Sequence, residues 1–441
     1  MISFREALDT SRNNPQSEWP ARGPDSRLEP VANPSFDSGV TLQPGAKVVT
    51  MGSCFARNIE EYFEAEGFDV PLMGYSAPLE EYGQGGRIQG ILNKYTIASI
   101  GIEIEWLARV KAEGGTVTWE NVEHMMLDIG SDRILDLQLS SGVPVSRERA
   151  VERRQQIYDL HVQIFDCDLV VLTPGLTETW FDTKTGLHIQ RMPGARQVRV
   201  APDRFTFEVM DFFQCFEILD KTIRTLKESG TRQIAMTVSP VPLQRTMTGK
   251  DILIANTYSK STLRSAVGLI CDRYDFVHYV PSYERVTLSK DPSVWGPDLR
   301  HVTKDFVGTI ASTFAATALG QSTEMTDAIL AFNTAIMEKR TEDAVTLLDF
   351  LGDNALNVSL YGFAKAACRL LIDEGRFADA MPFANRVRAL RPHQETGYKL
   401  EYRIHLKLGD TVAADEVARQ AAENCRDVIL EEFKALKPRQ K

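Results

Sequence analysis

The sequence lacks the features that would tie a protein to a membrane or to nucleic acid. No run of 18 apolar residues is present to span a bilayer, and the first twenty residues lack the apolar stretch of a secretory signal. The formal net charge of −10 argues against nucleic-acid binding, because contacts to phosphates require a basic surface. We therefore expect no membrane span, no nucleic-acid partner and a cytoplasmic location.

Cysteine is scarce and scattered. The six cysteines stand singly along 441 residues and form no Cys-x-x-Cys pair. Neither a zinc site nor a disulfide framework is expected from this spacing, and no metal or other cofactor is predicted. Single cysteines fit a reducing compartment, which would leave the thiol of Cys54 free.

The length and the apolar pattern predict two domains behind an N-terminal arm. Residues 1–44 are rich in Pro, Asn, Ser and Arg, and we expect an irregular arm anchored by Trp19. Residues 45–320 alternate strand and helix patterns, which predicts an α/β domain with a doubly wound parallel sheet covered by helices on both faces. Residues 321–441 lack strand patterns, and we expect a smaller all-α domain there.

Short β-branched runs and amphipathic stretches locate the elements of the α/β domain. A short β-branched run followed by Gly, Ser or Pro is typical of a buried parallel strand. Apolar residues that recur every three or four positions are typical of a helix. Strands are predicted at 47–50, 168–173, 233–238 and 276–280, and helices from 55 to a stop at Gly67 and over 145–165, 211–229, 256–272 and 302–318.

A repeat of 34 residues marks the C-terminal part. The segments 371–380 and 405–414 align with Gly375 on Gly409 and Ala380 on Ala414. Small residues at this period are typical of tetratricopeptide-like helical hairpins. We expect these helices to pack on the first domain, on another copy of the chain in a homo-oligomer, or on a protein partner.

Residues 52–56, Gly-Ser-Cys-Phe-Ala, place a cysteine between a predicted strand and a predicted helix. The N–H groups at the start of a helix favour a thiolate, so Cys54 is a candidate nucleophile with a lowered pKa. The alternative is a buried structural cysteine, which is a common role for a free thiol.

His301 is the candidate general base, and Asp298 is the candidate acid that orients it. An aspartate three residues before a histidine can hold the imidazole in one tautomer, and the other ring nitrogen is then able to accept a proton from a nucleophile. The alternative is that His301 caps a helix beginning near Val302.

Two further blocks are candidates for binding an oxyanion. Residues 173–180 follow the most apolar strand, and Gly175 and Thr177 there combine close backbone approach with a polar side chain. Residues 85–90, Gly-Gly-Arg-Ile-Gln-Gly, precede a helix predicted to start near Leu92 and offer the N–H of Gly90. Glu178 is read as a substrate contact or, equally, as a helix cap or ion-pair partner. The serines on either side of Lys260, Ser259 and Ser261, are expected to cap a helix.

These four blocks, in this order, resemble the SGNH/GDSL hydrolase superfamily and, more closely, its GSCFA family, named after the pentapeptide that stands at 52–56. Similar support comes from Thr-Val-Ser-Pro-Val-Pro at 237–242 and Tyr-Ser-Lys-Ser-Thr-Leu-Arg at 258–264. The resemblance covers about residues 40–318. It implies a flavodoxin-like three-layer α/β/α sandwich and acyl-ester chemistry.

The resemblance also implies roles for single residues. Cys54 stands where the superfamily has its nucleophilic serine, and Asp298 and His301 match the final Asp-x-x-His. Gly90 matches the glycine of the second block, and Thr177 stands where asparagine is usual, so the oxyanion would be held by the N–H groups of Cys54 and Gly90 with Thr177 assisting. A threonine lacks the amide N–H donor of asparagine.

The function implied is an esterase or acyl hydrolase, or an O-acyltransferase, that acts on an ester of a carbohydrate or similar alcohol, as in bacterial-type polysaccharide modification. A transferase would also bind an acyl donor such as coenzyme A. The alternative is a non-catalytic scaffold that keeps the hydrolase fold and recruits partners through its helical repeats.

Overall fold

The computed structural model describes residues 1–23, 26–35, 38–82, 87–140, 143–425 and 433. Strands and helices are numbered in chain order. The strands are β1 Val48–Gly52, β2 Met126–Asp128, β3 Ile134–Asp136, β4 Leu169–Thr173, β5 Glu178–Asp182, β6 Leu187–Ile189, β7 Phe205–Val209, β8 Ile234–Met236 and β9 Val277–Tyr279. The helices are α1 Phe4–Asn13, α2 Cys54–Ala65, α3 Leu79–Tyr82, α4 Ile97–Ala112, α5 Trp119–Val122, α6 Arg147–His161, α7 Ala195–Val200, α8 Phe212–Glu228, α9 Ile252–Arg273, α10 Ser282–Leu288, α11 Lys304–Ala318, α12 Thr323–Met337, α13 Thr341–Leu351, α14 Tyr361–Asp373, α15 Phe377–Leu390, α16 Glu395–Lys407 and α17 Thr411–Asn424.

The central sheet is parallel, with the strand order β1-β4-β8-β9. On the outer side of β1, a parallel bridge joins Lys47 to Asp69 and adds a short fifth segment. The chain therefore runs outward in both directions from β1, which is the 2-1-3-4-5 order of flavodoxin-like folds. In such sheets the crevice between the first and third strands, here β1 and β4, is where ligands bind.

Alternate residues of the strands face two helical layers. Val48 and Val171 pack with α2 and α11 on one face, whereas Val49 and Leu172 pack with α4, α8 and α9 on the other. Because both faces are buried, β1, β4 and β8 are largely apolar, as expected for a parallel sheet. The α/β/α architecture and the four predicted parallel strands are confirmed.

Helix α2 begins and ends where its sequence indicates. The Ser53 hydroxyl accepts a hydrogen bond from the N–H of Phe55 and caps the first turn. Phe55, Ile59 and Phe63 form the buried stripe. The helix ends at Ala65, and Gly67 then adopts a φ of 98°, a conformation that favours glycine.

Other parts of the chain differ from the sequence-based expectation. The helix predicted near Leu92 begins at Ile97, because residues 88–92 form a 3₁₀ turn and Thr96 caps the helix. An antiparallel sheet, β6-β5-β7, lies between β4 and α8 and was not predicted. The expected irregular arm contains α1, and Trp19 is 76% exposed and therefore does not anchor it.

The C-terminal region is helical, as predicted, in the part that the structure describes. Helices α12 to α17 pack each against the next, and the pair α14–α15 recurs as α16–α17 after 34 residues. Gly375 and Gly409 occupy equivalent turns with φ of 74° and 79°. The region shares a hydrophobic core with α2 and α11. Its tetratricopeptide-like assignment stays a prediction, and residues 426–432 and 434–441 lie outside the description.

None of the helices within the described ranges is both long and apolar enough to cross a membrane.

Candidate active site

Cys54 and His301 line one cavity at the carboxyl end of β1. The cavity measures about 260 Å³, and Asn93 and Val241 contribute to its wall. Gly52 allows the strands to meet here, because a Cβ at this position would lie 2.0 Å from the hydroxyl oxygen of Thr173 on β4. The predicted nucleophile and the predicted base, nearly 250 residues apart in the sequence, therefore line the same cavity.

Burial favours the protonated form of the Cys54 thiol. Burial raises its pKa, while the Arg300 and Arg87 guanidinium groups and the N–H groups of Cys54 and Phe55 act in the opposite direction. Burial is the largest of these effects, so the expectation of a lowered pKa is wrong. The helix start does favour the thiolate, but not enough to offset the loss of solvent around the sulfur.

Asp298 fixes its turn through three hydrogen bonds, two of which are made with His301. Its carboxylate accepts the N–H groups of Arg300 at 3.1 Å and His301 at 3.0 Å, and Oδ2 lies 2.6 Å from His301 Nδ1. These bonds lower the pKa of Asp298. They require a tight turn in which Leu299 takes a φ of 52°, a conformation that is uncommon for a non-glycine residue.

The hydrogen bonds assign the tautomer of His301. Its Nε2 lies 3.3 Å from Arg300 Nη2, and a guanidinium can only donate, so Nε2 accepts. That arrangement leaves Nδ1 as the donor, toward Asp298 Oδ2. Within the described part of the chain, His301 makes no hydrogen bond to the Cys54 sulfur. The helix-cap alternative for His301 is wrong, because Thr303 precedes α11.

Gly90 lines the cavity but does not offer its N–H to it. That N–H donates to the Arg87 carbonyl at 3.0 Å within the 3₁₀ turn. The geometry therefore contradicts Gly90 as an oxyanion donor. The neighbouring Gly85 and Gly86 of the same predicted block lie outside the described residues.

Thr177 and Glu178 lie away from the Cys54 cavity. Thr177 is fully buried, its N–H donates to the Ser259 hydroxyl at 2.9 Å, and its own hydroxyl oxygen has no partner among the described residues. Glu178 lines a different cavity of about 410 Å³ and accepts hydrogen bonds from the Thr246 hydroxyl and the Met247 N–H. The expected assistance of Thr177 to the oxyanion is therefore wrong for this geometry.

Asn93 contributes a side-chain amide to the cavity wall, as Asn58 also does, and sequence reasoning missed Asn93. Its Nδ2 lies 3.3 Å from the Tyr95 hydroxyl, and its Oδ1 is buried with no partner in the described structure. The flanking backbone is fixed to both strands, since Lys94 donates to Gly52 at 2.7 Å and Gly175 donates to Tyr95 at 3.0 Å. The one signal in the sequence is a polar residue between an apolar turn and the Thr96 cap.

A buried ionic network supports the Asn93 segment from behind. Lys94 Nζ lies 2.7 Å from Glu103, and Arg154 contacts both Glu103 and Asp136, all with almost no exposure. Buried charges are tolerated only when paired and hydrogen-bonded, which these are. Moving Lys94 out of the network would leave buried charges unpaired. The network therefore holds residues 93–95 in place.

Lys260 ties the loops after β4 and β8 together. Its Nζ donates to the carbonyls of Gly175, Ser239 and Val241, each at 2.7 Å. The three acceptors use all three donors of the ammonium group, which fits a structural role. Ser259 is not a helix cap, because α9 begins at Ile252 behind the Asp251 cap.

The fold and the site together define an α/β protein with a Cys–His–Asp constellation at the carboxyl edge of a parallel sheet. The model of the GSCFA family matches residues 47–314, so this chain belongs to the GSCFA family. The match contains Cys54, Asn93, Asp298 and His301 and ends within α11. None of the curated proteins compared with the chain matches it.

Proposed function

We propose that this protein catalyses acyl-ester chemistry at Cys54, as a hydrolase or as an O-acyltransferase. One observation carries the proposal: the thiol of Cys54 and the Asp298-bound imidazole of His301 line the same cavity. A nucleophile, a base and an acid that orients the base are the parts of a nucleophilic acyl-transfer site.

The proposed reaction begins with proton transfer. His301 Nε2 takes the proton from the Cys54 thiol, which burial keeps protonated at rest, and the thiolate attacks the ester carbonyl. His301 then returns the proton to the departing alcohol, leaving a thioester on Cys54. Water releases the acid in a hydrolase, whereas a second alcohol takes the acyl group in a transferase.

Two donors are proposed for the oxyanion. The N–H of Cys54 is the first of helix α2 and therefore has no acceptor within the helix. The side-chain amide of Asn93 supplies the second donor in place of Gly90 and Thr177, because it lines the cavity. Such donors act most strongly when they are held in position before the charge develops, which the anchoring of residues 93–95 supports.

The substrate class is proposed from the cavity and from the resemblance. A volume of about 260 Å³ lies just below the usual range for small-molecule sites and favours a short acyl group. The likeness to glycan-modifying SGNH proteins supports a carbohydrate or similar alcohol as the other half of the ester. Coenzyme A thioesters are the acyl donors to test for the transferase.

The decisive experiment compares Cys54→Ala with Cys271→Ala. Both thiols are partly exposed and free, but Cys271 lies on α9 outside the site. Release of acetate from p-nitrophenyl acetate and from acetylated oligosaccharides should disappear in Cys54→Ala and persist in Cys271→Ala. Product formation that requires acetyl coenzyme A would identify the transferase. Undiminished turnover in Cys54→Ala would overturn the mechanism.

A second candidate is a non-catalytic scaffold that recruits partners through α12 to α17. The specific observations in its favour are that His301 makes no hydrogen bond to the Cys54 sulfur in the described structure and that burial raises the pKa of the thiol. This candidate expects wild type and Cys54→Ala to be equally inactive on every ester and thioester above, with equal thermal stability.

A further inference from the structure

A second, larger cavity lies behind the turn that carries Asp298 and His301. It measures about 700 Å³ and is bounded by the Trp295–Pro297 turn, the start of α11 and one side of α12. Its apolar wall comes from Trp295, Phe306, Leu330 and Met337. The volume falls in the range of small-molecule sites, and nothing in the proposed acyl chemistry uses it.

Arg285 is the one cationic side chain in the described wall of this cavity. It is only 5% exposed, and its Nη1 donates to the Thr313 hydroxyl at 3.2 Å. Its Nε has no partner, and no described carboxylate lies within ion-pair distance. Burial lowers the pKa of Arg285 to about 10, with some opposing influence from Asp327. Burying a guanidinium without an anion beside it raises the free energy of the folded state. An anionic group bound at Arg285 would offset that cost.

Several other polar groups of the wall are already engaged. The hydroxyls of Thr309 and Thr334 donate to carbonyls of their own helices. Asp291 accepts the N–H of Ser293, and Glu338 pairs with Arg340 at 2.7 Å. The exposed Asp305 adds further negative charge at the rim. A doubly charged anion would be repelled there, whereas a single negative charge at Arg285 would be neutralised.

We propose that this cavity binds a small amphipathic monocarboxylate, with the carboxylate on Arg285 and the apolar tail against Trp295 and Phe306. A planar carboxylate matches the geometry of a guanidinium and would neutralise its buried charge. The four apolar side chains give the tail a surface to displace water from. This inference does not depend on the proposed reaction.

A ligand in this cavity would contact, from behind, the turn that carries Asp298 and His301. The N–H of Gly296 donates to the His301 carbonyl at 2.8 Å, and the N–H of Leu299 donates to the Gly296 carbonyl at 2.9 Å. Trp295 also pairs with Val302 in a β-bridge. A ligand in the cavity would therefore contact residues that are hydrogen-bonded to the segment that positions His301.

The test titrates the full chain with decanoate and with decanol, its uncharged counterpart, by calorimetry and tryptophan fluorescence. Decanoate should bind about tenfold more tightly or better, since a charged hydrogen-bonded pair is gained. Arg285→Met should abolish this preference and leave decanol binding unchanged. Arg224→Met, which removes an exposed arginine on α8, is the matched control and should behave as wild type.

Equal affinity for decanoate and decanol in the wild type would overturn the proposal, as would full decanoate affinity in Arg285→Met. Displacement of decanoate by inorganic sulfate, a dianion, would overturn the selectivity for a monoanion. The wild-type comparison of the two ligands decides the question even where Arg285→Met does not fold. Because the readout is binding, a failure here is distinct from a failure of the acyl chemistry.

Discussion

Asp298→Asn changes the tautomer of His301 while keeping the turn. The asparagine carbonyl oxygen can still accept the N–H groups of Arg300 and His301, so the left-handed conformation at Leu299 is retained. The amide nitrogen replaces Oδ2 opposite His301 Nδ1. Since an amide nitrogen donates, Nδ1 becomes the acceptor and the ring proton moves to Nε2.

The size of the effect follows from the state of the Cys54 thiol. A thiol with its ordinary pKa of 9.0 is ionised to about 1% at pH 7, and burial lowers this fraction further. With Nε2 protonated, only that small population of thiolate can react. We expect kcat to fall by about 10² to 10⁴ at pH 7, the usual contribution of a general base, with little change in KM.

Hydrolysis of p-nitrophenyl acetate measures the loss in turnover, and ¹⁵N NMR of histidine-labelled protein reports the tautomer without any substrate. His301→Ala assigns the resonance among the seven histidines. The thiol ionises as the pH rises, so the gap between Asp298→Asn and wild type should narrow in alkaline buffer. Wild-type turnover in a variant whose tautomer has demonstrably changed would refute the role of His301 as base.

Three further substitutions test the roles of Thr177, Lys260 and Glu66. Thr177→Val should leave turnover unchanged and alter stability to urea by about 1 kcal/mol or less, because the buried hydroxyl oxygen has no described partner. Lys260→Met should lower the free energy of unfolding by about 3 kcal/mol or more, since three buried carbonyls lose their donor. Burial raises the pKa of Glu66 from 4.5 to about 7, so the wild type should lose stability as the pH rises through that interval. Glu66→Gln should abolish this loss of stability, which is at most about 3 kcal/mol. Urea titrations at pH 4.5 and at about pH 7 measure the difference.

Local patterns were enough to predict the framework of the site. The run before Gly52 and the run before Thr173 are short, β-branched and followed by small residues, and both form parallel strands. The stripe of Phe55, Ile59 and Phe63 belongs to a helix for the same local reason. Because parallel strands present their carboxyl ends at one edge, the sequence also placed Cys54 and His301 near each other.

The details of the site depend on contacts between distant segments. Thr177 follows Gly175 closely in sequence, but Ser259 of α9 holds its backbone and the side chain is buried away from the cavity. Asn93 enters the cavity because its neighbours bind the ends of β1 and β4, which no local pattern around residue 93 indicates. The pKa of Cys54 is likewise decided by burial from several elements and not by the start of its own helix.

The geometry distinguishes two ways of activating a cysteine. One uses a thiolate–imidazolium pair that exists before the substrate arrives, and the other transfers the proton during the reaction. Here burial raises the pKa of the Cys54 thiol, and the lone pair of His301 Nε2 faces the guanidinium of Arg300. This arrangement favours the second mode. In the proposed reaction, Arg300 must release Nε2 before His301 can accept the Cys54 proton, so we expect substrate binding to move Arg300 as well as present the carbonyl.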